Sequence, residues 1–192
     1  MHAMKKYTTL LFIIMASTLL AASCKKTETV LTDLQKLPPA TQTGANTFGC
    51  LVNGKAWVAQ RNDCNVFCDP SFKVYYENSY GGFISLNAKK IDIQNNIDEE
   101  FGIAFDSSNF KLIHPIRVFN NYTVGTFRNY SSSSSCNTYV RYFDSTVTHF
   151  GSVNLTKYDL ANRIISGTFE FTLTKPGCET ISVTEGRFDK KL

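Results

Sequence analysis

Asn53-Gly54 separates two short runs, TFGCLV over 47–52 and KAWVAQ over 55–60. An Asn-Gly pair between two apolar runs is a strong hairpin signal, because a type I′ turn needs positive φ at both central residues. The spacing predicts an antiparallel pair with Phe48, Cys50 and Val52 on one face. Similar runs follow down the chain: FKVYYEN (72–78), GFISLNAKK (82–90), EFGIAFD (100–106), IRVF (116–119), YTVGTF (122–127), TYVRYF (138–143), SVNLTKY (152–158), RIISGTFEFTL (163–173) and ISVTEGRFDKK (181–191). Gly, Asn, Asp and Ser punctuate them, as turns require. No stretch after residue 46 keeps a capped 3.6-residue period. The pattern predicts an all-β fold, an antiparallel meander of about eight to ten strands forming a β-sandwich or flattened barrel. Alternation alone does not separate those two, because both point successive residues inward and outward.

The end of this array carries its own expectation. Ile181 and Val183 alternate with Ser182 and Thr184, and Glu185-Gly186 then interrupts. A bulge at Gly186 returns Phe188 to the apolar face. Residues 181–188 are therefore expected to pair with RIISGTFEFTL and to bury Phe188.

The first 24 residues, MHAMKKYTTLLFIIMASTLLAASC, follow a different logic. Lys5 and Lys6 precede an apolar stretch from Leu10 to Leu20, and Ala21-Ala22-Ser23 supplies small residues before Cys24. That order is a secretory signal. A Cys directly after the small residues resembles a bacterial lipobox, with Ala21 where Leu usually stands. The resemblance implies cleavage before Cys24, a diacylglycerol on its thiol and a further acyl chain such as palmitate on its amine. Several chains, at about 0.8 kcal/mol per buried methylene, hold a protein on a membrane without a spanning helix. The expected organisation is a lipoprotein signal peptide over 1–23, a lipidated Cys24 with a flexible tether over 24–46, and one all-β domain over 47–192. Thr32–Leu37 is the one candidate helical turn in the tether, with Thr32 as its cap. The expected location is the cell envelope, on the outer membrane.

Two longer stretches add a family resemblance. LPPATQTGANTFGCLVNGKAW opens the domain, and IISGTFEF with ISVTEGRFDKKL closes it. Over about residues 37–60 and 150–192 the chain resembles a family of small Bacteroidota lipoproteins built on a domain of unknown function. The resemblance implies an envelope-anchored β domain and carries over no catalytic residue.

Composition limits the function classes. Hydrophobic residues make up 43% of the 192, with 15 Phe and 9 Tyr, which excludes a disordered chain. Setting Lys5 and Lys6 aside, 18 basic residues face 16 acidic ones. With no basic stripe, the reading includes no nucleic-acid partner. It includes no cofactor and no metal. His114 precedes Pro115 and His149 precedes Phe150, neither at metal-ligand spacing. Asp98-Glu99-Glu100, and Asp63 with Asp69, lack the calcium-loop pattern and read as solvated turns.

Five cysteines follow Cys24, and an exported chain meets an oxidising compartment. Cys136–Cys178 is the expected bridge and Cys64–Cys68 its companion. Cys50 is left as a buried free thiol, because it falls mid-strand on the core face. Tyr75, Tyr76, Tyr80, Tyr139 and Tyr142 are candidate ligand-stacking aromatics, since a tyrosine offers an apolar face and a polar tip. Asp144-Ser145-Thr146 resembles a short O-glycosylation acceptor, which makes Ser145 a candidate modification site.

Three functions compete. The first is a non-enzymatic binding or accessory lipoprotein, held to the membrane by its anchor and engaging a glycan, an envelope protein or a small ligand. The second is a calycin-like barrel carrying an apolar ligand, which needs small inward residues such as Gly102 and Ala104 in number. The third is a hydrolase with a carboxylate pair drawn from Asp63, Asp69, Glu77, Asp106 or Glu170.

Overall fold

The computed structural model describes residues 30–64, 69–77, 83–106, 116–117 and 124–192. Residues 1–23, where the signal peptide is expected, and Cys24, Cys68, Tyr80 and His114 lie outside those residues. Twelve strands run in order: β1 (Thr47–Val52), β2 (Lys55–Val58), β3 (Gln60–Arg61), β4 (Phe72–Glu77), β5 (Phe83–Asp92), β6 (Ile97–Asp106), β7 (Ile116–Arg117), β8 (Val124–Asn129), β9 (Thr138–Tyr139), β10 (Thr148–Asp159), β11 (Ile164–Thr174) and β12 (Ile181–Lys191). They form two sheets, ordered β2-β1-β12-β11-β10-β7 and β3-β5-β6-β8-β9, with β4 also paired to β5. All pairings are antiparallel except the short β3–β5 contact. The sheets pack as a sandwich, and among the described residues neither closes into a barrel. No helix among these residues is long and apolar enough to cross a membrane.

The predicted hairpin is present. Asn53 and Gly54 have φ of 47° and 79°, the left-handed pair that a type I′ turn requires. Asn53 also clips the hairpin to the next strand: Ser182 N donates to its Oδ1 at 2.7 Å and Asn53 N donates to Ser182 O at 2.8 Å. Phe48 and Cys50 are buried and Val52 packs against the core beside them.

Apolar alternation fills the space between the sheets with rings. Phe48 stacks on Phe169 at 4.8 Å and meets Phe72 at 5.3 Å, while Phe101 meets Trp57 at 4.8 Å and Phe127 at 4.8 Å. Offset and edge-on ring pairs of this kind add stabilisation beyond the area they bury. Cys50 lies among them as the free thiol. Burial pushes its pKa far up, so it stays a neutral thiol.

The meander is interrupted where the chain returns. β12 pairs with β11, as the sequence implies, and on its other side with β1. The register shifts between Phe169↔Gly186 and Phe171↔Val183, with Glu185 at φ 54°. This bulge puts Phe188 on the core face at 2% exposure, against Phe169 and Phe72.

The tether expectation needs correction from residue 31 onward. Leu31–Leu192 forms one compact unit, so the domain starts before Thr47. A short 3-10 turn, Leu34–Lys36, is held by Thr32, whose backbone N donates to Gln35 Oε1 and whose hydroxyl accepts from Gln35 N. Asp33 Oδ1 accepts from Ala56 N on β2, Leu37 is buried, and the Pro38 ring covers Gly49. Asp189 of β12 collects the rest. Its carboxylate, 1% exposed, accepts from Thr41 Oγ1 (2.6 Å), Gly44 N (2.8 Å), Thr43 N (3.0 Å), Ala45 N (3.1 Å) and Ser166 Oγ (2.7 Å). Burial opposes the charge, but these donors outweigh it and hold the carboxyl well below the usual carboxylate range.

Two predictions follow from this geometry. Asp189→Ala strips the acceptor from five buried or half-buried donors and should lower stability by about 3 kcal/mol or more. Because the folded-state pKa is depressed, the ionised carboxylate stabilises fully above about pH 4 and progressively less as pH falls. The difference in denaturant midpoint between wild type and Asp189→Asn should therefore be widest near pH 7 and narrow toward pH 2. Phe188→Ala truncates a core ring and should cost about 3–4 kcal/mol. Removing residues 181–192 should abolish the cooperative transition, as read from urea melts of the detergent-purified chain.

Candidate functional site

On the second sheet, residue parity decides what faces water. Phe72 and Val74 of β4, Ile84, Leu86 and Ala88 of β5, Phe101, Ile103 and Phe105 of β6, and Phe127 of β8 face the core. The intervening residues form the outer face in three rows set by register. Tyr75 lies across from Ser85 and Ala104; Lys73 from Asn87, Gly102 and Thr126; and Lys89 from Glu100 and Arg128. The centre of this face is made of small side chains. A Cβ at Gly102 would stand 2.5 Å from Thr126 Oγ1, so only glycine leaves room for Thr126 there.

Aromatic rings rise at both ends of the floor. Tyr75 stands at the β4 side, 51% exposed. On the opposite side the chain leaves β9 and turns, with Phe143 N and Asp144 N both donating to Val140 O. This turn presents Tyr142 at 91% and Phe143 at 67% exposure, ring centroids 5.3 Å apart. Buried Val147 and an Asp144–Lys175 ion pair at 3.2 Å fix the turn to the body. The Arg128 guanidinium lies over the Phe143 ring at 5.1 Å, and its Nη1 donates to Tyr130 Oη at 3.1 Å. Tyr130 in turn donates to Glu100, and the Lys89 ammonium sits 5.8 Å from its ring centroid. At an inter-strand spacing of about 4.8 Å and a rise of about 3.3 Å per residue, the rings of β4 and of the turn beyond β9 lie roughly 20–25 Å apart, because Tyr75 and Arg128 stand four residues apart in register. A depression of about 270 Å³ occupies the Tyr75 end, with Lys73, Asn87, Lys89 and Glu100 among its walls.

The charges here are mostly paired. Arg61 holds Asp63 at 2.7 Å, Lys73 holds Asp69 at 2.8 Å, and Lys89 holds Glu100 at 3.3 Å. The Arg61 hydrogen bond draws the Asp63 pKa down, and the Lys73 hydrogen bond does the same for Asp69. A general acid in a glycosidase needs the opposite shift. Glu170 lies on the other sheet, and the side chains of Glu77 and Asp106 lie outside the described residues. Glu99 and Glu100 alternate across β6, the first accepting from Trp57 Nε1 at 2.8 Å and the second facing Lys89. Neighbouring carboxylates on opposite faces do not chelate one ion.

The candidate tyrosines separate on this geometry. Tyr75 and Tyr142 are exposed and bracket the floor. Tyr76 is 55% exposed but shares the inward parity of Phe72 and Val74, so it does not share a face with Tyr75. Tyr139 is 2% exposed and donates to Glu179 O at 2.6 Å. It belongs to the core and is corrected from a stacking candidate to a structural residue. The expected strand over 138–143 ends at Tyr139, which is why Tyr142 and Phe143 face outward together. Sequence reasoning missed Arg128 and Phe143. The adjacent Tyr142-Phe143 pair was the available signal, since consecutive rings fit a turn better than an alternating strand.

Cys136 and Cys178 are bridged, tying the 3-10 turn Ser135–Asn137 to the loop between β11 and β12. Cys64 is disulfide-bonded. His149 pairs with Leu173 in the ladder of the first sheet. Ser145 is exposed, in a turn where Asp144 accepts from Thr146 N at 3.0 Å.

A second depression, about 520 Å³, lies on the outer face of the first sheet among Asn154, Thr168, Glu170, Glu185 and Arg187. The one ring along it, Phe169, is 4% exposed and belongs to the core. The second sheet's outer face is therefore the better candidate for a ligand that stacks. Comparison of the chain with protein-family models, with curated proteins and with solved structures returns no match.

Proposed function

We propose that this chain is a lipid-anchored envelope protein that binds a glycan, without turning it over, on the outer face of its second sheet. One observation carries the reading: a floor of the small polar side chains Ser85, Asn87 and Thr126, with Gly102 leaving room between them, is framed by exposed rings at Tyr75 and at Tyr142-Phe143. Sugar rings stack their C–H faces on aromatic side chains and take hydrogen bonds from small polar groups beside them. Tyr75 is held within β4 and Tyr142-Phe143 in a turn pinned by Val147 and the Asp144–Lys175 pair, so these rings are presented in place.

The other readings find less support. A calycin-like carrier needs a lumen, whereas Phe48, Phe72, Phe101, Phe105 and Leu173 fill the space between the sheets at about 1% exposure or less. A hydrolase needs a carboxylate held neutral, and Asp63 and Asp69 are drawn the other way. The anchor, the outer-membrane location and the kinship with small Bacteroidota lipoproteins rest on the Lys5-Lys6 to Cys24 pattern and the two end motifs.

Membrane-fraction mass spectrometry should find a mature chain that begins at an acylated Cys24, and Cys24→Ala should move the protein to the aqueous fraction. A Cys24→Ala chain that stays membrane-bound sinks the anchor. On a glycan array, the detergent-purified chain should retain a defined set of saccharides. Tyr75→Ala and Tyr142→Ala should each weaken that binding about ten-fold, at about 1–1.5 kcal/mol per lost stacking contact, with unchanged melting temperature. Full binding by the double variant overturns the assignment of this face.

A further inference from the structure

The corner around Arg128 narrows the ligand class, and the argument rests on the glycan-binding reading above. We propose that Arg128, presented between Tyr130 and the Tyr142-Phe143 turn, receives the negative group of an anionic saccharide while Tyr142 stacks on the ring that bears it.

Arg128 differs from every other cation on this face. Arg61, Lys73 and Lys89 each have a carboxylate within 3.3 Å. Among the described residues Arg128 has none, and its one side-chain hydrogen bond goes to Tyr130 Oη. Glu100, its cross-strand neighbour, is already engaged by Lys89 at 3.3 Å and by Tyr130 at 3.3 Å. Asp98, a further outward carboxylate of β6, lies near Arg61, and among the described residues Arg128 is the cation of this face that no carboxylate pairs.

The guanidinium is also oriented. Its central carbon lies over the Phe143 ring, 5.1 Å from the centroid, and its Nη1 donates to Tyr130 Oη at 3.1 Å. A guanidinium has five N–H donors, so most of its fork is left for a planar anion, which it binds in two parallel hydrogen bonds. Tyr142 is 91% exposed and 5.3 Å from Phe143. A hexose ring laid on Tyr142 thus places a ring substituent near the Arg128 fork. A neutral sugar uses the stacking surface and leaves the fork solvated. A peptide carboxylate satisfies the fork without needing the small polar floor that continues toward Tyr75.

Isothermal titration of the detergent-purified chain decides between these. The probes are oligogalacturonate, its fully methyl-esterified form, a sulfated chondroitin oligosaccharide and a glutamate-rich peptide. One or both anionic saccharides should bind at least ten-fold more tightly than the neutral ester, with an affinity that falls as salt rises. Arg128→Gln should remove that preference and its salt dependence, so that acid and ester bind to within about two-fold of each other. Arg128→Lys should retain part of the salt dependence and lose most of the affinity, because an ammonium lacks the planar fork. Tyr142→Ala should weaken acid and ester alike. Melting temperatures within about 2 °C of wild type show that the variants fold. Equal binding of acid and ester, or an Arg128→Gln variant that still prefers the acid, overturns this proposal and leaves the glycan reading standing. Binding of the peptide alone, or of none of the saccharides here and on the array, overturns both.

Discussion

A single buried carboxylate, Asp189, holds the early part of the domain to its late part. It stands on the strand between β1 and β11, and its donors come from Thr41, Thr43, Gly44 and Ala45 on one side and Ser166 on the other. A charge at 1% exposure is tolerable only when enough donors replace the water it gave up. Four of those donors belong to the segment before β1, so the carboxylate and the segment order one another. The covering of Gly49 by Pro38, and of the β2 edge by Asp33, depends on that same segment being in place.

The aromatic core and the outer face of the second sheet come from one pattern. The strands alternate, with the apolar residues turned to the core and the intervening, mostly polar ones displayed outside. The middle of the outer face carries Ser85, Asn87, Gly102, Ala104 and Thr126, with Tyr75 on β4 at one side and the charged row Lys89, Glu100 and Arg128 leading to the Tyr142-Phe143 turn at the other. The floor is set by strand register, and the Tyr142-Phe143 part of its frame by the turn that follows β9. Side chains displayed from paired strands are already ordered, which would limit the ordering cost of any binding there.

The all-β class, the Asn53-Gly54 hairpin, the Gly186 bulge, the burial of Phe188, the free Cys50 and the Cys136–Cys178 bridge were legible in the sequence. Each depends on a local pattern: period-two alternation, a turn dipeptide, or a cysteine's place in or out of a strand. The role of residues 31–46 was hidden because its partner, Asp189, is 148 positions from Thr41, and a Thr/Gln/Gly run carries no periodicity. The β1–β12 pairing was hidden for the same reason. At the candidate site, parity separates Tyr75 from Tyr76, and one misplaced strand end buried Tyr139 in the core while releasing Tyr142 and Phe143. Arg128 was invisible because nothing local marks a guanidinium whose neighbours' carboxylates are already taken.

The position of β12 has a consequence for the order of events in folding. β12 is synthesised after every other strand, yet it lies between β1 and β11 and carries the residue that fastens the chain's beginning. Until it arrives, β1 has only the short β2 beside it, Phe48 lacks the Phe169–Phe188 side of its ring cluster, and Thr41 to Ala45 have no acceptor. Contacts this distant in sequence carry a large loop-closure cost and make folding slow. The first half of the domain is thus kept from a premature stable structure by the absence of its own last strand.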